Sequence, residues 1–352
     1  MPMTVEARRN ILNQIDRLKA MLTIDEEERT GLERVGAPVS NLLLYGVPGC
    51  GKSHYITENY TAQVDSDQVE RVVFHPDYTY ADFIGQIMPE SNQGHISYPF
   101  QAGPFTRILE KAIHNPHDVF YLIIEEINRG NAPAIFGDIF QLLDRKNGES
   151  EYGISNNAIS SWIYITNGVG DEPERFQDEL PSVKIPKNLA VIATMNTADQ
   201  NVFTLDTAFK RRWHMKAIPN YFDMDNLSCP ATHFIAETGV TWGDFAKAVN
   251  DVIIQINKDT FSGEDKRLGA YFVTLEDLGN ASLFGEKVLM YLWNDAVKHN
   301  RYELFKPRYV TLDEVLEDFA RPTVALDVFK IHFPNQQDNG ENNEQADGQA
   351  TE

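Results

Sequence analysis

The sequence predicts an α/β fold, with a parallel sheet flanked by helices and followed by a smaller α-helical domain. Three observations predict it. Short runs rich in Val, Ile and Leu at 41–46, 71–75, 119–126 and 189–196 are apolar throughout rather than alternating. Strands buried on both faces of a parallel sheet read that way. Amphipathic stretches separate these runs, and strands alternating with helices build a layered α/β domain. Beyond about residue 218 the strand signal fades and only helical periodicity remains.

In chain order, residues 1–37 read as a helical leader, with Ile11, Ile15, Leu18 and Leu22 at three- and four-residue spacings. Its acidic run Asp25–Glu28 fits a solvated face or a helix start. The α/β domain is expected over 38–217. Its strands are the four runs above, and His75 is expected as a packed residue after the second. Helices are expected over 104–115 and 132–145. Residues 146–187, rich in Gly, Asn and Ser, read as a long insertion carrying a hairpin around 161–165. A helical domain should occupy 218–334, with amphipathic helices over 241–261 and 283–300. The segment 335–352 holds five acids, no base and no large apolar side chain, so it reads as a disordered acidic tail.

Composition narrows the function classes. The chain carries 31 Lys and Arg against 52 Asp and Glu, a formal charge of −21. Phosphate backbones are bound by Lys and Arg, so this balance argues against coating nucleic acid with the whole surface, though not against a local basic channel. Two cysteines, Cys50 and Cys229, are too few for a disulfide framework or a cysteine-rich zinc site. No apolar stretch is long enough to span a membrane, and 1–10 has no signal-peptide core, so a cytoplasmic location is expected.

The first run ends in Gly46-Val47-Pro48-Gly49-Cys50-Gly51-Lys52-Ser53, which fits G-x-x-x-x-G-K-[ST] between a strand and a helix. Glycines let backbone N–H groups wrap phosphates, and the helix N-terminus adds partial positive charge. Lys52 would reach the β- and γ-phosphates and the Ser53 hydroxyl would ligand Mg²⁺. Cys50 reads as a small loop residue rather than a nucleophile. The third run ends in Glu125-Glu126. One carboxylate would serve the metal and the next would polarise the attacking water, which by position assigns Glu125 and Glu126 respectively. The fourth run ends in Asn196, whose amide at a strand's C-terminal end would orient that water. Arg211 and Arg212 follow as candidates for an arginine finger, or else as a basic helix end. Acting between subunits, a finger requires an oligomer. A nuclease pattern forced from Pro76-Asp77 and Glu264-Asp265-Lys266 is too widely spread, and the histidines lack metal spacing, so no cleavage chemistry is read in this chain.

Taken together, the segments FHPDYTYADFIGQIMP (74–89), YLIIEEINRGNAPAIFGDIFQLLDR (121–145), IPKNLAVIATMNTADQNVFTLDTAFKRRW (185–213) and, more weakly, KRLGAYFV (266–273) resemble the McrB family of AAA+ NTPases. These are motor subunits of modified-cytosine restriction systems. The resemblance spans roughly 38–300. It implies an AAA+ P-loop core followed by a helical lid, hydrolysis of ATP or GTP with Mg²⁺, and hexameric rings docked to an McrC-like or other nuclease subunit that supplies most DNA contact. It carries nucleotide binding to Gly46–Ser53, metal coordination to Ser53 and Glu125, catalysis to Glu126, water sensing to Asn196 and the finger to Arg211 or Arg212. From the lid, Lys266 or Arg267 would approach a phosphate.

Three departures stand out. Glu125 replaces an Asp, Gln200 replaces an Arg, and the stretch before the core leaves no room for a modified-DNA-reading domain. Two other functions share these motifs: a MoxR-like ATPase that remodels proteins without DNA, and a ring scaffold that binds nucleotide with little hydrolysis.

Overall fold

Four predicted strands and one more form the central sheet of the computed structural model. They are β1 (Asn41–Gly46), β2 (Val69–Val73), β3 (Phe120–Glu125), β4 (Leu189–Asn196) and β5 (His214–Ala217). The structure describes residues 40–92, 95–166, 180–196, 203–257 and 266–333. The leader 1–37, the tail 335–352, Gln200, Glu264 and Asp265 lie outside the described residues.

The strand order is β5-β1-β4-β3-β2. β2 and β4 both pair parallel to β3, with Val73 opposite Glu125 and Ala193 opposite Ile124. Phe120–Ile124 and Leu189–Thr194 are buried throughout, which is why those runs carry no polar alternation. β5 was not anticipated. It lies at the sheet edge and its side chains are largely exposed, so it has no apolar run to betray it.

The helix Pro104–His114 fits its prediction. Pro104 opens it, where a missing N–H costs nothing, and Phe105, Ile108, Leu109 and Ala112 bury one face. The helix expected over 132–145 is interrupted. It runs from Ala132 to Phe136, then Gly137 adopts φ +51° and the chain continues as a 3₁₀ segment to Leu143. Tyr80 sits where a side chain on Gly137 would point, 2.8 Å from the Cβ position. The hairpin expected at 161–165 is instead helical, an α-turn Asn157–Ser161 running into a π-turn Trp162–Thr166. Asn156 caps it by accepting from the Ile159 N–H, and Ile159 and Ile163, four residues apart, are both buried. Helical spacing therefore outweighs the β-propensity of that aromatic run.

The chain divides into two compact units. The first holds most of the sheet and the flanking elements up to Lys216. The second holds Tyr45–Lys52, Asn196 and the chain from Ala217 onward. The first core gathers Leu43, Phe74, Phe83, Leu122, Ile124, Phe136, Val191 and Phe209. The second is helical. Trp242–Ile256 is its longest helix among the described residues, started by Thr241, which accepts from the Asp244 N–H; the expected stretch 258–261 lies outside the described residues. The helix predicted over 283–300 is an unbroken helical run from Ala281 to Ala296, in which α-turns alternate with the wider π-turns Gly285–Leu289 and Leu292–Ala296. Phe245, Phe284, Phe319 and Phe329 stack and cross at centroid distances of 5.4 to 6.4 Å in its centre. Aromatic pairs at such spacings add about 0.5–1.5 kcal/mol each beyond area burial. Among the described residues, no helix is long and apolar enough to cross a membrane.

Candidate functional site

β1 runs directly into the glycine-rich loop, and within the second unit that loop is shaped by backbone contacts. Gly49 and Gly51 take φ +73° and +96°, conformations that glycine adopts without steric cost. The segment Leu268–Phe272 lies against the loop. The Tyr271 N–H donates to the Gly49 carbonyl at 2.8 Å, and a Cβ on Gly269 would stand 2.3 Å from the Gly49 carbonyl carbon. Asn250 holds this strap from behind, donating to the Leu268 carbonyl at 2.9 Å and accepting its N–H at 2.7 Å. Trp242 donates to the Ala270 carbonyl. The family-like segment 266–273 thus meets the loop through backbone at 269–272. Lys266 itself uses its carbonyl to accept from the Tyr291 hydroxyl.

Lys52 is buried and its ammonium donates to the Gly46 and Val47 carbonyls, 3.0 Å each. Its Nζ lies 3.8 Å from the Cys50 sulfur. Burial pushes the Cys50 thiol above its ordinary pKa, and Lys52 pulls it only partly back. A buried thiol held protonated is a poor nucleophile, consistent with its expected role as a small loop residue.

In the first unit the predicted metal pair comes together. The Ser53 hydroxyl donates to Glu125, 3.1 Å to Oε1 and 3.3 Å to Oε2. Two residues that no sequence signal singled out complete the cluster. The Thr194 hydroxyl donates to Glu125 Oε2 at 2.7 Å and accepts the Glu126 N–H at 3.1 Å. Arg71 of β2 reaches Glu125 Oε1 with its Nη1 at 2.5 Å. Hydroxyl and carboxylate oxygens are the donors a hard cation takes, so Ser53 and Glu125 fit Mg²⁺.

Glu126 leaves the strand in the left-handed region, φ 56° and ψ 43°. For a residue with a Cβ that conformation costs roughly 1–2 kcal/mol. Its hydrogen bond to Thr194 offsets part of the cost, and its Oε2 lies 3.0 Å from Arg129 Nε. Arg129 was also missed. The only signal for it was the run Asn128-Arg129-Gly130 in which it stands.

Asn196 is the last residue of β4 and is buried. The two arginines differ. Arg212 ion-pairs with Asp144 at 2.6 Å, donates to the Ala208 carbonyl and stacks over Phe140 at 4.1 Å. Arg211 is exposed and, among the described residues, its side chain has no partner. His75, expected to be packed, is exposed, and the preceding Phe74 takes the core position. Strand alternation explains this, because Val72 and Phe74 share the inward face. Among the described residues, no group of three or more acids, His and Cys could hold a metal ion.

Comparison with known proteins follows the same lines. The profile of the AAA domain (dynein-related subfamily) matches residues 41–213. The chain is 38% identical over 289 residues to the type II restriction enzyme BsuMI component YdiS of Bacillus subtilis, covering 74% of this chain and 80% of that protein. It is 29% identical over 245 residues to the type IV methyl-directed restriction enzyme EcoKMcrB subunit of Escherichia coli K12. That match covers 67% of this chain and 48% of the relative, so the chain spans about half of its length.

Proposed function

The chain belongs to the McrB-like family of AAA+ proteins, and from that premise we propose that it hydrolyses ATP or GTP as the ring-forming motor or switch of a restriction system, with a separate nuclease subunit. The observation that carries the hydrolytic part is the Ser53–Glu125 contact, a hydroxyl and a carboxylate brought within 3.1 Å from two distant segments. The restriction context is supported by what the two relatives are named for.

In this reading the loop Gly46–Lys52 cradles phosphates with backbone N–H groups, and Lys52 exchanges its carbonyl partners for phosphate oxygens. Mg²⁺, held by Ser53 and Glu125, would neutralise charge on the triphosphate. Glu126 is the base that draws the proton from the attacking water. Asn196 orients that water. Arg211, exposed and without a partner among the described residues, reaches the phosphates bound by a neighbouring subunit, so the active assembly is an oligomer, a hexamer by family likeness. With a net charge of −21, most DNA contact falls to the partner rather than to this chain.

The test is Glu126→Gln. Nucleotide binding and nucleotide-dependent ring formation should persist while phosphate release falls about 10²–10⁴-fold, the usual share of a general base. Normal turnover in that variant removes Glu126 from the chemistry. A native pull-down with ATP, GTP or no nucleotide, followed by partner identification, tests the nuclease. A partner without a nuclease fold would favour protein remodelling instead.

A further inference from the structure

We propose that Arg71 competes with Mg²⁺ for Glu125, so that this chain's own counter-ion sets how much metal its nucleotide site requires. The inference rests on the reading that Ser53 and Glu125 hold the metal.

The geometry begins with register. On β2, Val73 stands opposite Glu125 and Arg71 opposite Ile123. Arg71 must therefore reach along the sheet toward the strand ends, and Glu125 must reach back. Glu125 stands where the resemblance expects Asp, and its side chain is longer by one methylene. With that longer side chain the carboxylate makes a 2.5 Å contact to Arg71 Nη1.

The carboxylate is also crowded with donors. Oε1 accepts from Arg71 and Ser53, and Oε2 accepts from Thr194 and Ser53. The single Ser53 proton is shared between the two oxygens, so three donors already occupy most of the carboxylate's about four lone-pair positions, and a cation at Glu125 must crowd in beside them. The Thr194 hydroxyl is fixed from its other side by the Glu126 N–H, which leaves its proton directed at Oε2. Ser53 is the metal's co-ligand. Arg71 is the partner that can leave. Its side chain is 40% exposed, against 14% for Glu125, and water can take over its donors.

A cation arriving at Glu125 meets the positive charge of Arg71 already seated there. Two cations on one carboxylate repel, and removing Arg71 should raise metal affinity.

Mn²⁺ serves as the probe, with the free ion followed by electron paramagnetic resonance in the full chain with ATPγS or GTPγS. Arg71→Ala should lower half-saturating Mn²⁺ about three- to tenfold, the scale of a partly exposed charge-assisted pair. Arg71→Lys, which keeps the charge, should shift it less. In a Glu125→Asp background the carboxylate falls short of Arg71, so adding Arg71→Ala should leave half-saturation unchanged. Unchanged or weaker Mn²⁺ binding in Arg71→Ala alone, while Ser53→Ala loses the metal, overturns the competition and leaves the site reading standing. Mn²⁺ binding that survives Ser53→Ala overturns the site reading itself, and this proposal with it.

Discussion

The phosphate loop and the carboxylate cluster are built by different means. The loop is a backbone object. Its positive φ angles sit at Gly49 and Gly51, and its neighbour Gly269 approaches so closely that a single Cβ does not fit. The cluster is a side-chain object. Ser53, Arg71, Glu125 and Thr194 come from three strands and a helix start, and the other three each meet Glu125 through terminal side-chain atoms. The first kind of construction leaves a compact word in the sequence, because consecutive residues must satisfy one backbone path. The second leaves scattered letters, whose relation appears only once strand order and register are known.

If side-chain roles are assigned by reach, two adjacent arginines should differ most. Arg211→Ala is expected to cut phosphate release in the assembled protein by about 10³–10⁵-fold with nucleotide binding retained. Arg212→Ala should act on the fold instead. Losing the partner of Asp144 and the stacking over Phe140 should cost about 1–3 kcal/mol in urea unfolding. The reverse pattern would show that the Asp144 pair opens to free Arg212, and the two roles would change places.

Gly269→Ala tests the backbone side. Its Cβ would press on the Gly49 carbonyl and on Cys50 N at 2.6 Å, neither of which is a flexible side chain. Overpacking of that kind costs about 1–3 kcal/mol or more. Thermal unfolding should register the loss, and nucleotide binding should weaken with it. Wild-type affinity and stability in this variant would mean that the strap yields, and that the loop keeps its shape alone.

The smallest effect is expected at Thr194→Val, which preserves shape and removes one hydroxyl. Glu125 loses a donor and the Glu126 N–H loses its acceptor, worth about 1–2 kcal/mol by denaturant unfolding. A neutral outcome would place Glu126 under control of its Arg129 contact rather than its backbone bond.

The same division explains what could be read in advance. β1 and β4 were legible to the residue, because a strand buried on both faces needs an unbroken apolar run. β5 was not, since an exposed edge strand such as His214–Ala217 has no such need. The 157–166 helix was misjudged because Trp162, Ile163, Tyr164 and Ile165 favour strands locally, while burial of Ile159 and Ile163 is satisfied only by helical spacing. At the site, the loop and the Ser53–Glu125 pairing followed from motif and position. Thr194 was hidden as one polar letter in a buried strand. Arg71 was hidden because its partner stands 54 positions away, and only the β2–β3 register brings them together.

The left-handed turn at Glu126 has a consequence for how this sequence can drift. Glycine would adopt the same backbone without the steric cost that a Cβ imposes there, and it would retain the N–H that Thr194 accepts. Relief of the conformation and loss of the carboxylate therefore come in one substitution. If Glu126 is the proposed base, selection for a sturdier fold alone would push this position toward an inert protein.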